Sequence, residues 1–177
     1  MPHLFKSKRL GFRNWLASDI DNMSKINLDE KVMEFFPHTI SRDQTIKFIK
    51  RMQNQYDENG FCYFAANKLE NNEFIGFIGL SEQTFEAEFT PCLDIGWRLA
   101  SKEWNKGYAT EGALRCLEFA FNDLKLDRVC SFAPKINTKS EDIMVKIGMT
   151  KLYEFEHPKL IDDRLKACVL YEKVKIT

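Results

Sequence analysis

Two hydrophobic rhythms alternate along this chain. From residue 41, apolar side chains recur at Ile46, Ile49, Met52 and Tyr56, close to the helical repeat. Ser41-x-x-Gln44 ahead of them is a capping-box pattern, and Gly60 is a natural terminator, so the spacing predicts a helix between them. The rhythm then shortens. FCYFAA (61–66) and EFIGFIGL (73–80) are rich in aromatic and β-branched residues, and KLENN between them ends in Asn71-Asn72, a pair that tolerates a tight turn. That pattern predicts a hairpin. CLDIGWRLA (92–100) reads as a third strand of the same group.

On the N-terminal side, KRLGFRNWL (8–16) predicts an opening strand. Ser18, with Asp21 three residues on and Ile20 and Met23 following, predicts a short helix. EKVMEFF predicts a second helical piece stopped by Pro37. On the C-terminal side, Ala113, Leu114, Cys116, Leu117, Ala120, Phe121 and Leu124 make a wide apolar face on a helix from Tyr108 to Leu124. RVCSFA (128–133) predicts a strand, SEDIMVKIG a short helix ending at Gly148, and MTKLYEFE and LKACVLYEKV two closing strands. The expected order is β-α-α-α-β-β-β-α-β-α-β-β. With no linker, repeat or low-complexity tract, residues 1–177 read as one domain of the α/β (α+β) class with a mixed sheet.

Composition narrows the function. The 177 residues are 44% hydrophobic and 29% charged, as in a globular protein with a substantial core. Lys+Arg and Asp+Glu both number 26, and no basic block stands out, which argues against a nucleic-acid partner. The start MPHLFKSKRL holds no secretory apolar run, and no stretch approaches a membrane span. Five scattered cysteines without a CxxC pair or a nearby histidine predict reduced thiols and no metal, hence a cytoplasmic protein.

The chemistry concentrates in LDIGWRLASKEWNKGYATEGA (93–113), where a strand enters a helix through Lys106-Gly107. First-turn N–H groups at such a junction have no intrahelical partner, Gly107 permits close backbone approach, small Ala109 keeps the turn open, and Lys106 adds positive charge. The combination suits a phosphate or pyrophosphate, although an ordinary helix start with an incidental glycine has the same local pattern. Neither GxxxxGK[ST] nor GxGxxG is present.

Taken whole, DIGWRL followed by WNKGYATEG resembles motif A of the GNAT N-acetyltransferase superfamily, R/Q-x-x-G-x-G/A, matched here by Trp104 to Ala109. Trp104 departs from Arg/Gln at the first position, as in the RimJ/RimL-like branch. Asn137-Thr-Lys-Ser140 with Lys146-Ile-Gly148-Met149 is similar to that family's N-x-x-S…EKxGF segment, and KRLGFRNW to its usual start. The resemblance implies a mostly antiparallel mixed sheet, flanked by helices and splayed between the DIGWRL and RVCSFA strands, with acetyl-CoA in the splay. It assigns the pyrophosphate to the N–H groups of Asn105, Lys106, Gly107, Tyr108, Ala109 and Thr110. Trp97 and Leu99 would pair their backbone with the pantetheine amides, with Arg98 between them, and Asn137 would bond the pantetheine arm.

The implied reaction is direct transfer of acetyl from acetyl-CoA to a primary amine in a ternary complex. It needs a neutral amine, a stabilised oxyanion and a protonated leaving thiol. Asp94 is the candidate base, against an equal expectation that it is a structural carboxylate. A backbone N–H near Trp97 or Arg98 is the natural oxyanion donor. The family's tyrosine acid falls on Met144, which has no proton to give. Ser140 is the substitute, and also the expected N-cap of its helix. Three acceptor readings stand: a protein N-terminus or other peptide amine, a small amine such as a polyamine, amino sugar or antibiotic, and none, in an acyl-CoA-binding sensor without catalysis. The sequence leaves the acceptor unnamed, and leaves open whether the chain is a monomer or a homodimer.

Overall fold

The computed structural model describes residues 2–175, and it builds one eight-stranded sheet with helices on both faces. In chain order the strands are β1 (Phe5–Lys6), β2 (Leu10–Arg13), β3 (Tyr63–Lys68), β4 (Phe74–Gln83), β5 (Cys92–Leu99), β6 (Arg128–Pro134), β7 (Thr150–Glu156) and β8 (Ala167–Val174). The helices are α1 (Asp19–Leu28), α2 (Arg42–Asn59), α3 (Tyr108–Asn122), α4 (Thr138–Lys146) and the single turn α5 (Asp163–Lys166). The spatial order is β1-β2-β3-β4-β5-β6-β8-β7, antiparallel at every junction except β5–β6, which is parallel. This is the mixed, mostly antiparallel sheet of the GNAT fold, with the break in the expected place.

The local signals account for most elements. Ser41 and Gln44 form a reciprocal capping box at the start of α2, and Gly60 closes it in the left-handed region. Asn72 takes a positive φ of 58° in the β3–β4 turn. Three expectations change. EKVMEFF is a run of turns and not a helix, because Val32 and Met33 reach the core individually while no cap or helical repeat supports the segment. The opening strand is a two-strand hairpin, β1 with β2. Ser18 flanks α1 but makes no side-chain cap bond; Asp19 instead accepts from the Leu16 N–H at 2.8 Å.

Register sorts side chains between the two faces. Phe12, Phe64, Ile78, Leu80, Ile95 and Leu99 share one face, against which α3 packs Ala113, Cys116, Leu117 and Ala120. Arg13, Tyr63, Phe77, Ser81, Asp94 and Arg98 share the other, beneath α1 and α2. The second face is the polar one. There Arg13 and Asp19 make a buried two-bonded ion pair at 2.7 and 2.8 Å, fixing α1 to β2.

Candidate active site

β4 and β5 are in register over eight residue pairs, but β5 and β6 share only Asp94↔Cys130 before they part. The Ala100 N–H donates to the Ile75 carbonyl at 2.9 Å, and backbone direction alternates along an antiparallel strand. Arg98 therefore also turns its backbone to β4, whereas Trp97 and Leu99 turn theirs to the open edge. Trp104 Nε1 already donates to the Leu99 carbonyl at 2.9 Å, so the edge offers both backbone groups of Trp97 and the N–H of Leu99. This parity leaves Trp97, and not Arg98, as a backbone donor facing the gap.

At the end of β5 the chain makes one 3-10 turn, Ser101–Glu103, and enters α3 through Asn105 and Gly107, whose φ angles are 60° and 79°. Two left-handed residues bracketing Lys106 turn successive N–H groups inward, which is the geometry of an anion-binding concavity. Gly107 caps α3 with no side-chain bond, and the first intrahelical bond is Glu111 N–H to the Gly107 carbonyl. The N–H groups of Tyr108, Ala109 and Thr110 thus remain for an external acceptor. Arg9 holds this loop in place: it bonds Glu111 at 2.6 Å and the Lys106 carbonyl at 3.0 Å, and stacks on Tyr108.

A cavity of about 450 Å³ wraps round the open edge of β5. Trp97, Arg98, Leu99, Asn105, Gly107, Tyr108, Ala109, Thr110, Asn137 and Ser140 all line it. Lys106 does not, because its ammonium turns to the buried Glu103 at 3.0 Å. Lys139 and Lys146 on α4, and Lys31, line the cavity and supply positive charge that sequence reading missed. Nothing marks them in a lysine-rich chain until the fold brings α4 beside the α3 terminus. An elongated anion with amide groups fits this set, and acetyl-CoA has that chemistry. A larger depression, about 650 Å³, lies between α1 and the ends of β3 and β4, and none of the candidate catalytic or cofactor-binding residues lines it.

Ser140 is not the helix cap. Asn137 is, its side chain accepting from the Ser140 N–H at 3.2 Å, because α4 starts at Thr138, two residues before the expected boundary. The Ser140 hydroxyl is therefore spared for the cavity, and the Asn137 amide retains its NH₂ for a ligand. Met144 is 1% exposed and belongs to the core.

Asp94 lies on the polar face, 5% exposed, and accepts from the Tyr63 hydroxyl at 2.5 Å. Gln83 Nε2 donates to the same phenol at 3.2 Å. Burial pushes the Asp94 carboxyl up to about 8, against the smaller opposing effects of the Tyr63 bond and the Phe132 N–H. Burial, then the neighbouring Asp94, lifts the Tyr63 phenol well above its ordinary value. Gly96 makes room for this pair: a Cβ there would stand 3.0 Å from the Tyr63 ring. Tyr63 was not found from sequence, since its reach to Asp94 from the position in line with Gly96 depends on two strand registers.

The five cysteines are free thiols, but they are not all apart: Cys92 and Cys130 bring their sulfurs to 2.7 Å where β5 and β6 meet. Among the described residues there is no group of three or more His, Cys, Asp or Glu able to hold a metal, and no helix is long and apolar enough to cross a membrane.

Comparison with known proteins agrees with this geometry. The family described as acetyltransferase (GNAT) domain matches residues 9–150. The N-acetyltransferase YnaD of Bacillus subtilis, itself uncharacterised, is 27% identical over 146 residues, covering 82% of this chain and 81% of YnaD. A GNAT-family acetyltransferase from Bacillus anthracis superposes with a TM-score of 0.80 at 25% identity, covering 96% of each chain. RimL, the ribosomal L7/L12 alpha-N-protein acetyltransferase solved with coenzyme A, shares the fold at 15% identity, with a TM-score of 0.76 and 95% of each chain covered.

Proposed function

The chain belongs to the acetyltransferase (GNAT) domain family and is an acetyl-CoA-dependent N-acetyltransferase, and we propose that its acceptor is the α-amine of a peptide chain. The observation that carries the acceptor reading is the buried Tyr63–Asp94 pair. A general base works best when its pKa lies near the operating pH. Asp94 at about 8 can serve near neutral pH, where an α-amine of ordinary pKa roughly 7.7–8.0 has a large neutral fraction and a lysine-type amine at about 10.4 is almost wholly protonated. A polyamine would also need an anionic lining, and the charged residue that the cavity wall shares with the Asp94 face is the cation Arg98.

Acetyl-CoA, when bound, supplies an activated acetyl thioester. The residues then divide the work. The N–H groups of Asn105, Lys106, Gly107, Tyr108, Ala109 and Thr110 hold the pyrophosphate, with Lys139 and Lys146 adding charge. Trp97 and Leu99 pair their open-edge backbone with the pantetheine amides, and the Asn137 NH₂ meets the same arm. The Trp97 N–H stands where negative charge develops on the acyl oxygen. On the opposite face Asp94 takes the proton of the incoming amine, directly or through a bridging water, and Tyr63 keeps the carboxylate oriented. Ser140 faces the departing thiol and positions it. This assignment treats the chain as one catalytic domain, which the single continuous sheet supports.

The acceptor reading is tested by competition. A peptide with a free N-terminus and no lysine is mixed with an N-blocked peptide holding one lysine, and acetylated products are separated by mass spectrometry. Acetylation of the first in clear excess is expected; transfer to lysine alone overturns the α-amine assignment.

A further inference from the structure

Arg98 is the one titratable residue of the cavity wall placed on the Asp94 face of β5, and no carboxylate among the described residues lies within ion-pair distance of it. A half-buried guanidinium normally has an anionic partner, because losing hydration without one is costly. Here burial lowers its pKa to about 10. The polar contact it makes is Nη1 to Asn27 Oδ1 at 2.8 Å. Asn27 is itself fixed, donating from Nδ2 to Thr45 Oγ1 at 2.9 Å, so its oxygen is held toward Arg98. Phe36 stacks on the guanidinium face at 4.1 Å and Phe77 lies at 5.5 Å.

These contacts use the Nη1 end and set aromatic rings beside the guanidinium, and leave one edge. Nε is buried with no hydrogen-bond partner, and Nη2 beside it makes no hydrogen bond among the described residues. The Nε–Nη2 edge is the fork that takes a carboxylate side-on through two parallel bonds. Strand parity separates Arg98 from the pyrophosphate concavity. The α3 terminus belongs to the face of Ile78 and Leu99, whereas Arg98 belongs to the face of Phe77 and Asp94, where the amine is deprotonated.

We propose that Arg98 is a specificity-determining residue that receives a carboxylate carried by the acceptor itself. The inference rests on the α-amine reading above and adds to it: the favoured acceptor is an α-amine bearing a nearby anionic group. Two sources offer that group, an acidic side chain in the first residues of a peptide or the α-carboxylate of a free amino acid. Arg98 stands four residues along β5 from Asp94, roughly 13 Å at the usual strand rise, which favours the peptide source.

Binding tests this without relying on turnover. Matched short peptides, one with Asp or Glu at the second and third positions and one with Asn or Gln, are titrated calorimetrically into the protein saturated with CoA. A free amino acid and its amide form a second pair. The parent is expected to bind the acidic peptide roughly tenfold tighter or more, the scale of a charge-assisted hydrogen bond. Arg98→Gln should erase that preference while still binding neutral peptides, and Arg98→Lys should restore only part of it. A preference confined to the amino acid pair moves the assignment to the α-carboxylate and keeps Arg98 as its receptor. Equal binding of both members of both pairs by the parent overturns the proposal and leaves the α-amine reading intact. Loss of CoA affinity in Arg98→Gln, with the acidic preference unchanged, overturns it in favour of a cofactor role. Binding and acetylation of polyamines alone would remove both readings.

Discussion

The Tyr63 hydroxyl donates to the Asp94 carboxyl across the middle of the sheet, joining β3 to β5 at the last residue before β5 and β6 separate. In the proposed reaction this pair couples the chemistry to pH. Asp94 holds its proton until about pH 8, so the base form grows through that value. The rate of transfer, kcat/KM, should therefore climb on a limb near pH 8. Asp94→Asn should lower it by roughly 10²-fold or more and remove the limb's Asp94 component. In Tyr63→Phe the carboxylate loses a donor that favours its charged form, so the limb should move to higher pH. A pH–rate profile of the three proteins checks this, and superimposable limbs in all three would place the base elsewhere.

The same shift acts on stability, with a fixed sign. An unfolded aspartate loses its proton near 3.8, the folded one near 8. Asp94 therefore favours the folded state fully below the lower value, and this contribution declines as pH rises until the folded carboxyl ionises at about 8. Asp94→Asn stays neutral throughout. Its melting temperature relative to the parent should rise between pH 5 and pH 9, read from thermal melts at both. A difference that stays constant across this range would mean the carboxyl titrates normally.

Gly107→Glu should abolish the stabilisation that CoA gives the parent, because the change puts bulk and negative charge into the anion concavity at a φ of 79°. Thermal shift with CoA is the measurement. The unliganded variant should melt within several degrees of the parent, since open space surrounds this position apart from Arg9. Full CoA stabilisation in the variant would show that the phosphates bind elsewhere.

Asp19→Ala should destabilise the fold by about 3–5 kcal/mol, because it strands the Arg13 guanidinium beneath α1 and frees the Leu16 N–H. Denaturant unfolding measures it. The Asp19→Asn variant, which retains an acceptor, should lose less. A cost below about 1 kcal/mol would mean that the pair contributes little beyond its own desolvation.

The parts of this molecule readable from sequence are those set by local chemistry. The Ser41–Gln44 capping box, the Gly60 terminator, the Asn71-Asn72 turn and the string from Asp94 to Thr110 each carry their geometry in neighbouring residues. They yielded the strands of the sheet and the concavity, while the break was implied by the resemblance to the GNAT superfamily. What escaped depends on residues distant in the chain. Tyr63 reaches Asp94 only through the β3–β4 and β4–β5 registers, and Cys92 meets Cys130 only because β5 and β6 are neighbours. Lys106 looked like a phosphate ligand until Glu103 claimed it. The helical reading of EKVMEFF failed for a related reason: its apolar residues are drawn inward one by one by the core, with no helical face among them.

The central claim is that acetyl passes directly from acetyl-CoA in the β5–β6 gap to an α-amine arriving on the Asp94 face. The most direct measurement is release of the CoA thiol from acetyl-CoA, followed over time with and without a lysine-free peptide bearing a free N-terminus. Release should depend on the peptide, match the acetylated α-amine one for one, and show no burst in its absence. Tight acetyl-CoA binding with no peptide-dependent release, or a stoichiometric burst without any amine, would contradict the account.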